Sequence, residues 1–181
     1  MAFATIDVTK GISGVTPIAN GGTALSSGFI NGTTAVGKVL QVQQAFITSS
    51  FESTTSSSFA DVSNLSVAIT PASTSNYIYV RADIAYQLYG NSSSVYPEGE
   101  VRLLDNSDTV HAATQVLQYM SSNTEYEQSG TSLVRYYNPN TTSQITYNLN
   151  FKAGSGRFIL YGDGHSAFTK PNVITAMEIS A

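Results

Sequence analysis

Two histidines and a scatter of carboxylates are the residues on which acid–base or hydrolytic chemistry could be built in this chain of 181 residues. His165 lies in YGDGHSAF (161–168), with Asp163 and Ser166 crowded beside it. A serine hydrolase needs serine, histidine and acid to converge in space, usually from separate segments. Neighbours within one glycine-rich turn do not converge in that way, and no G-x-S-x-G elbow is present. Asp163–Gly164 is read as a hairpin turn. His111 follows Val110 in a strand-like run and is read as a hydrogen-bonded strand histidine.

The carboxylates offer slightly more. Glu98 and Glu100 sit in YPEGE (96–100), Asp105 and Asp108 flank a turn, and Glu125 and Glu127 alternate in SSNTEYEQSG (121–130). Paired carboxylates hydrolyse glycosides when their separation suits the mechanism, but a short chain leaves little room for a substrate groove. The calcium-loop pattern D-x-[DN]-x-[DN]-G does not occur. With no cysteine, thiol catalysis, disulfides and cysteine zinc sites are removed together. These acids are therefore read as solvated loop residues. No catalytic residue, metal or cofactor is assigned, and the chain is not read as an enzyme.

The elements that would position any site are strands. Hydrophobic residues make up 41% of the chain, enough for one full core. Charged residues are only 11%, against roughly 25% in an average domain. Ser, Thr, Asn and Gln fill the surface instead, as suits a β protein with hydroxyl and amide outer faces. A net charge of −4 with no basic cluster excludes nucleic acid as a natural partner. No apolar run approaches the roughly 20 residues that span a bilayer, and residues 1–15 lack the pattern of a signal peptide.

Period-two alternation is plain in NYIYVRADIAYQLY (76–89). Ile78, Val80, Ala82, Ile84, Tyr86 and Leu88 share one face, and Tyr77, Tyr79, Arg81, Asp83 and Gln87 the other. SQITYNLNFKA (143–153) alternates in the same way, with Ile145, Tyr147, Leu149 and Phe151 opposite Thr146, Asn148, Asn150 and Lys152. Further strands are expected over 39–48, where Leu40, Val42 and Phe46 share a face, and over 65–69, ended by Pro71. The runs 101–104, 110–117, 132–137, 157–161 and 173–179 complete the set. Turn signals such as YGNSSS, LLDNSD, NPNTT and AGSG separate them. Many short strands at this spacing predict an all-β, antiparallel β-sandwich of jelly-roll type over 38–181.

Residues 1–37 read differently. Glycines at 11, 14, 21, 22, 28, 32 and 37 and a row of small hydroxyl residues give no period that could bury apolar area against the entropy of ordering. This is an extended N-terminal arm. It either packs back on its own domain or is held by other chains.

The arm also carries a motif. GVTPIANGGTALSS (14–27) resembles the "LPVANGGTG" segment that recurs in bacteriophage tail-fibre and appendage proteins. GKVLQV (37–42), LSVAITPASTSNYIYVRADI (65–84) and the closing ITAMEIS (174–180) resemble the C-terminal modules of short virion fibres, marine-phage ones in particular. The motif here ends Gly-Thr-Ala where those proteins usually have Gly-Thr-Gly. A collagen-like run and a long repetitive shaft are both absent. The resemblance implies a virion location and a homotrimer.

On this reading Phe3, Ile6, Val8, Pro17, Ile18, Asn20, Gly21, Gly22 and Thr23 anchor the arm to another virion protein of tail or capsid. Phe3 to Val8 would add as a strand to a partner sheet. Tyr77, Tyr79 and Arg81 form a subunit contact, since Tyr and Arg bury much area and keep a polar handle. Tyr119, Tyr126, Tyr136 and Tyr137 add to the surface tyrosines. The loop 121–130, with Asn123, Glu125 and Tyr126, faces outward to touch a host surface glycan. The expected function is a structural component of a phage particle, a tail fibre or short appendage. A head decoration or head fibre, and a free carbohydrate-binding module, are the alternatives.

Overall fold

In the computed structural model, the residues described are 38–47, 51–90, 96–119, 126–161 and 172–181. The arm over 1–37, with all nine of its anchoring residues, lies outside them, as do Asn123, Glu125 and the His165 turn.

Ten strands run in chain order: β1 (Val39–Phe46), β2 (Phe51–Thr54), β3 (Ala60–Ile69), β4 (Tyr77–Tyr89), β5 (Glu98–Asp105), β6 (Val110–Leu117), β7 (Tyr126–Tyr137), β8 (Ile145–Ser155), β9 (Arg157–Tyr161) and β10 (Val173–Ile179). All pairings are antiparallel. One sheet has the order β3-β8-β5-β6. In the other, β4 pairs with β7 along one edge, while its opposite edge is shared between β10 and β9. β1 then pairs with β10, and β2 with β9. Two positions of this second sheet are thus each filled by two successive strands, and the whole is four positions on four. That is the jelly-roll arrangement the alternation predicted.

β10 partners β4 over Tyr77–Asp83, and β9 partners it over Tyr86–Tyr89, which leaves Ile84 and Ala85 between them. Asn172, fully buried, fills the gap. Its Oδ1 accepts from the Ala85 N–H at 2.8 Å, and its Nδ2 donates to the carbonyls of Ala85 at 2.9 Å and Tyr161 at 2.6 Å. Its own backbone continues the ladder, donating to Tyr161 O and accepting from Ile47 N. One side chain thus replaces the peptide group that the split removes, so the backbone polar groups of β4 stay satisfied.

The core lies between the sheets. Ile78, Val80, Ala82, Ile84 and Leu88 from β4 meet Tyr147, Leu149 and Phe151 from β8, all buried. Gly99 is where the packing is tightest. A Cβ there would stand 2.5 Å from the Phe158 ring, so only glycine lets that ring lie flat against β5. Phe158 in turn meets Tyr86 edge-on, with ring centroids 5.6 Å apart.

The expected strands are present with shifted ends. β2 was not anticipated: it is four residues long, in a Ser/Thr-rich stretch with no alternation to mark it. Residues 126–130 belong to β7, so the predicted loop 121–130 is corrected to at most its first half, and Tyr126 and Glu127 are strand residues. Tyr137 is half-buried, its hydroxyl 2.7 Å from that of buried Tyr147, so it is not a surface tyrosine. Gln87 lies on the outward face but is buried, accepting a hydrogen bond from Tyr161. Asn64 and Asn140 both have positive φ, 58° and 51°, a backbone region that asparagine tolerates better than most residues.

Candidate assembly face

Cross-strand partners project to the same side of a sheet, so the register defines the outward face of the split sheet. Val42 lies opposite Met177, Met177 opposite Tyr79, and Tyr79 opposite Tyr136. This is an apolar row across four strands. The next row is Gln44, Thr175, Arg81 and Val134, and the one after it Phe46, Val173, Asp83 and Ser132. Val42 is 52% exposed, Phe46 43%, Val134 46% and Tyr136 52%. Tyr77 stacks on Tyr136 diagonally, at 5.0 Å between centroids and 12° between planes.

The predicted trio Tyr77, Tyr79 and Arg81 is brought together on this face as expected. Arg81 is anchored by Asp83 at 2.6 Å, and Asp83 also accepts from the Ser132 hydroxyl. The hydrogen bond from Arg81 to Asp83 and the carboxylate charge raise the arginine's pKa. Val42, Met177, Val134 and Tyr136 were not assigned to the face. Nothing in the spacing places four separate segments in one row; only the register does.

β1 reverses what its alternation would imply. Leu40, Val42 and Phe46 are all exposed, while Gln41 and Ala45 are partly buried. The cause is Glu178, fully buried in β10 opposite Gln41. Its Oε2 accepts from Gln41 Nε2 at 2.6 Å, and its Oε1 from Asn76 Nδ2 at 2.6 Å and Ala72 N at 2.7 Å. Burial alone would raise its pKa. The donors from Gln41, Asn76 and the Ala72 and Ser73 backbone outweigh that and hold it below the ordinary 4.5. Gln41 must face inward to serve this carboxylate, so Val42 faces out. The same clasp, with Gln41 also donating to Thr70 O, ties the start of β1 to the loop before β4.

Two of the acids examined first, Asp105 and Asp108, lie at the 105–109 turn, and Glu100 lies further back along β5. Asp105 accepts from the Ser107 and Thr109 N–H groups and lies 3.0 Å from His111 Nε2. Burial would raise its pKa, but these donors hold it below the usual range. His111, packed on Tyr137 at 4.7 Å between ring centroids, is the hydrogen-bonded strand histidine expected. Glu100 is held by Arg102 at 2.8 Å and Lys152 at 3.1 Å. Among the described residues, no group of three His, Asp or Glu side chains could hold a metal ion.

No protein-family model matches this sequence, and no curated protein matches it either. Among solved structures, Eiger TNF from S. frugiperda aligns over 80% of this chain and 96% of its own, with 7% identity and a TM-score of 0.46. The VP2 subviral particle of infectious bursal disease virus aligns over 78% of this chain with 12% identity and a TM-score of 0.36. This chain matches only 38% of that VP2 chain. At these scores the likeness is one of general β-sandwich outline, and the jelly-roll assignment rests on the strand order above.

Proposed function

We propose that this protein is a structural component of a bacteriophage particle, a tail fibre or short appendage. Its arm anchors in another virion protein, and its sandwich assembles as a homotrimer through the outer face of the split sheet. The observation that carries the assembly is the row Val42, Met177, Tyr79 and Tyr136 with Phe46 and Val134 beside it. Monomers rarely expose an apolar patch of such continuity unless it serves as a contact surface. Interface cores favour tyrosine, methionine and arginine, and this face offers all three. The PIANGGT motif of the arm supports the virion placement.

Three copies also suit the low charge of the chain, because three weak host contacts on one particle gain avidity without a strong single site. Head decoration is served by the same plan of anchor and projecting sandwich, and the short length favours it as the second reading. The test is the solution mass of the full chain by light scattering across a dilution series. Three times the 19.2 kDa chain mass, stable on dilution, is the expected result. A monomer at all concentrations would remove the trimer.

A further inference from the structure

The outer face of the split sheet changes character beyond Asn172. Where β9 and β2 replace β10 and β1, the face carries a cleft of about 190 Å³ lined by Phe51, Gln87, Tyr89, Arg157, Ile159 and Tyr161. Three aromatic side chains, one guanidinium and one amide meet there, and no carboxylate is among them. We propose that this cleft binds a saccharide bearing a carboxylate, such as a uronic or sialic acid residue. This goes beyond the assembly reading and does not depend on it.

Three observations carry the proposal. The first is the charge on Arg157. Arg81, Arg102 and Lys152 each have an acidic partner within 3.1 Å. Arg157 has none among the described residues. It donates to Ser53 Oγ at 3.0 Å and lies 5.8 Å from the Phe51 ring centroid. An exposed guanidinium held in place by a neutral hydroxyl keeps its remaining donors for a planar anion, which a carboxylate matches two to two. In a chain of net charge −4, a cation in a cleft with no acidic partner among the described residues selects for anionic ligands.

The second is the aromatic platform. Phe51 is 43% exposed at the cleft edge, and Tyr89 is half-buried beside Arg157, its cross-strand neighbour. Exposed rings next to polar groups offer a flat surface for the C–H face of a sugar, while small-ligand sites generally pair such walls with a few placed polar groups.

The third is Gln87, only 5% exposed. Its Oε1 accepts from the Tyr161 hydroxyl, which itself accepts from Gln128 Nε2 at 3.2 Å. These bonds fix the amide, and its NH2 group, without a hydrogen bond to any other described residue, is placed to donate to a ligand hydroxyl. Tyr126, taken from sequence as a host-contact residue, is the backbone strand partner of Tyr89.

The experiment is saturation-transfer NMR and calorimetry on the full chain at low salt. The probes are N-acetylneuraminic acid, methyl glucuronide, methyl glucoside and acetate. Binding of at least one acidic sugar, tighter by about ten- to hundredfold than the neutral glucoside, is expected from one charge-assisted pair. Arg157→Gln should abolish that preference, and Phe51→Ala should weaken the acidic sugar while leaving the preference in place. Binding of neither acidic sugar, equal binding of the glucoside, acetate binding as tight as the sugar acid, or an unchanged Arg157→Gln would each overturn the proposal. Solution mass is a separate readout, so failure here leaves the assembly reading untouched, and the reverse also holds.

Discussion

The two outer faces of this sandwich solve the problem of exposure in opposite ways. On the β3-β8-β5-β6 sheet, side chains that point outward are tied to one another. Asp61 accepts from both Asn148 and Asn150, Glu100 bridges Arg102 and Lys152, and both cations lie over the Phe59 ring. On the split sheet the outward row is Val42, Met177, Tyr79 and Tyr136, with one ion pair beside it. The first face ties most of its polar side chains within the chain, with Leu117 at its edge exposed. The second leaves apolar side chains exposed, Val42, Phe46, Val134 and Tyr136 among them, and is the face proposed above for assembly. A low charge content therefore does not mean a uniformly bland surface; the faces differ in how far their outward side chains are tied to one another.

The most direct way to break this contrast is to put a carboxylate on each face in turn. Tyr79→Glu or Met177→Glu should convert the assembly to monomers in light scattering, because a buried unpaired charge is strongly disfavoured at an interface. Ala113→Glu, next to Arg102 on the other sheet, should leave the mass unchanged. Equal dissociation by all three would erase the distinction between the faces.

Asn172→Leu tests whether the split sheet depends on its plug. It removes hydrogen bonds to Ala85 and Tyr161 in a fully buried place. A loss of about 2–4 kcal/mol in denaturant unfolding is expected. A loss under about 1 kcal/mol would mean that β9 and β10 hold their places without it.

Glu178 sharpens the comparison in pH. Its folded pKa lies below its ordinary value, so its contribution is fully present above the unfolded value of about 4.5 and is lost as pH falls through the folded one. Stability should be flat from neutral pH down to that region and fall below it. Glu178→Gln should flatten the acid limb and cost about 1–3 kcal/mol at pH 7, since an amide cannot accept from every donor now present. An acid limb identical to that of the parent chain would assign the fall to other carboxylates.

Glu100→Ala should have the smallest effect. Its partners Arg102 and Lys152 are about a third exposed and can return to water, so the change should stay within about 1 kcal/mol.

Much of this was legible in the sequence. β4 and β8 alternate strictly, and their inward sets are buried as the period requires. Tyr77, Tyr79 and Arg81 were placed on one outward face by the same rule. Pro71 marked the end of β3, and the turn at Asp105–Asp108 is where its Asn, Ser and Asp residues put it. These features are local: side-chain period and turn chemistry act over two to four residues.

What the sequence could not determine follows from the same physics. A period of two defines two faces of a strand but does not say which one meets the core. In β1 the apolar set faces out because a carboxylate in β10, more than a hundred residues away in sequence, needs Gln41. The row Val42, Met177, Tyr79 and Tyr136 exists only once the register of four strands is set. The plug at Asn172 exists only because one sheet position is filled by two strands. Pairing between distant segments decides these matters, and that information lies in the tertiary structure alone.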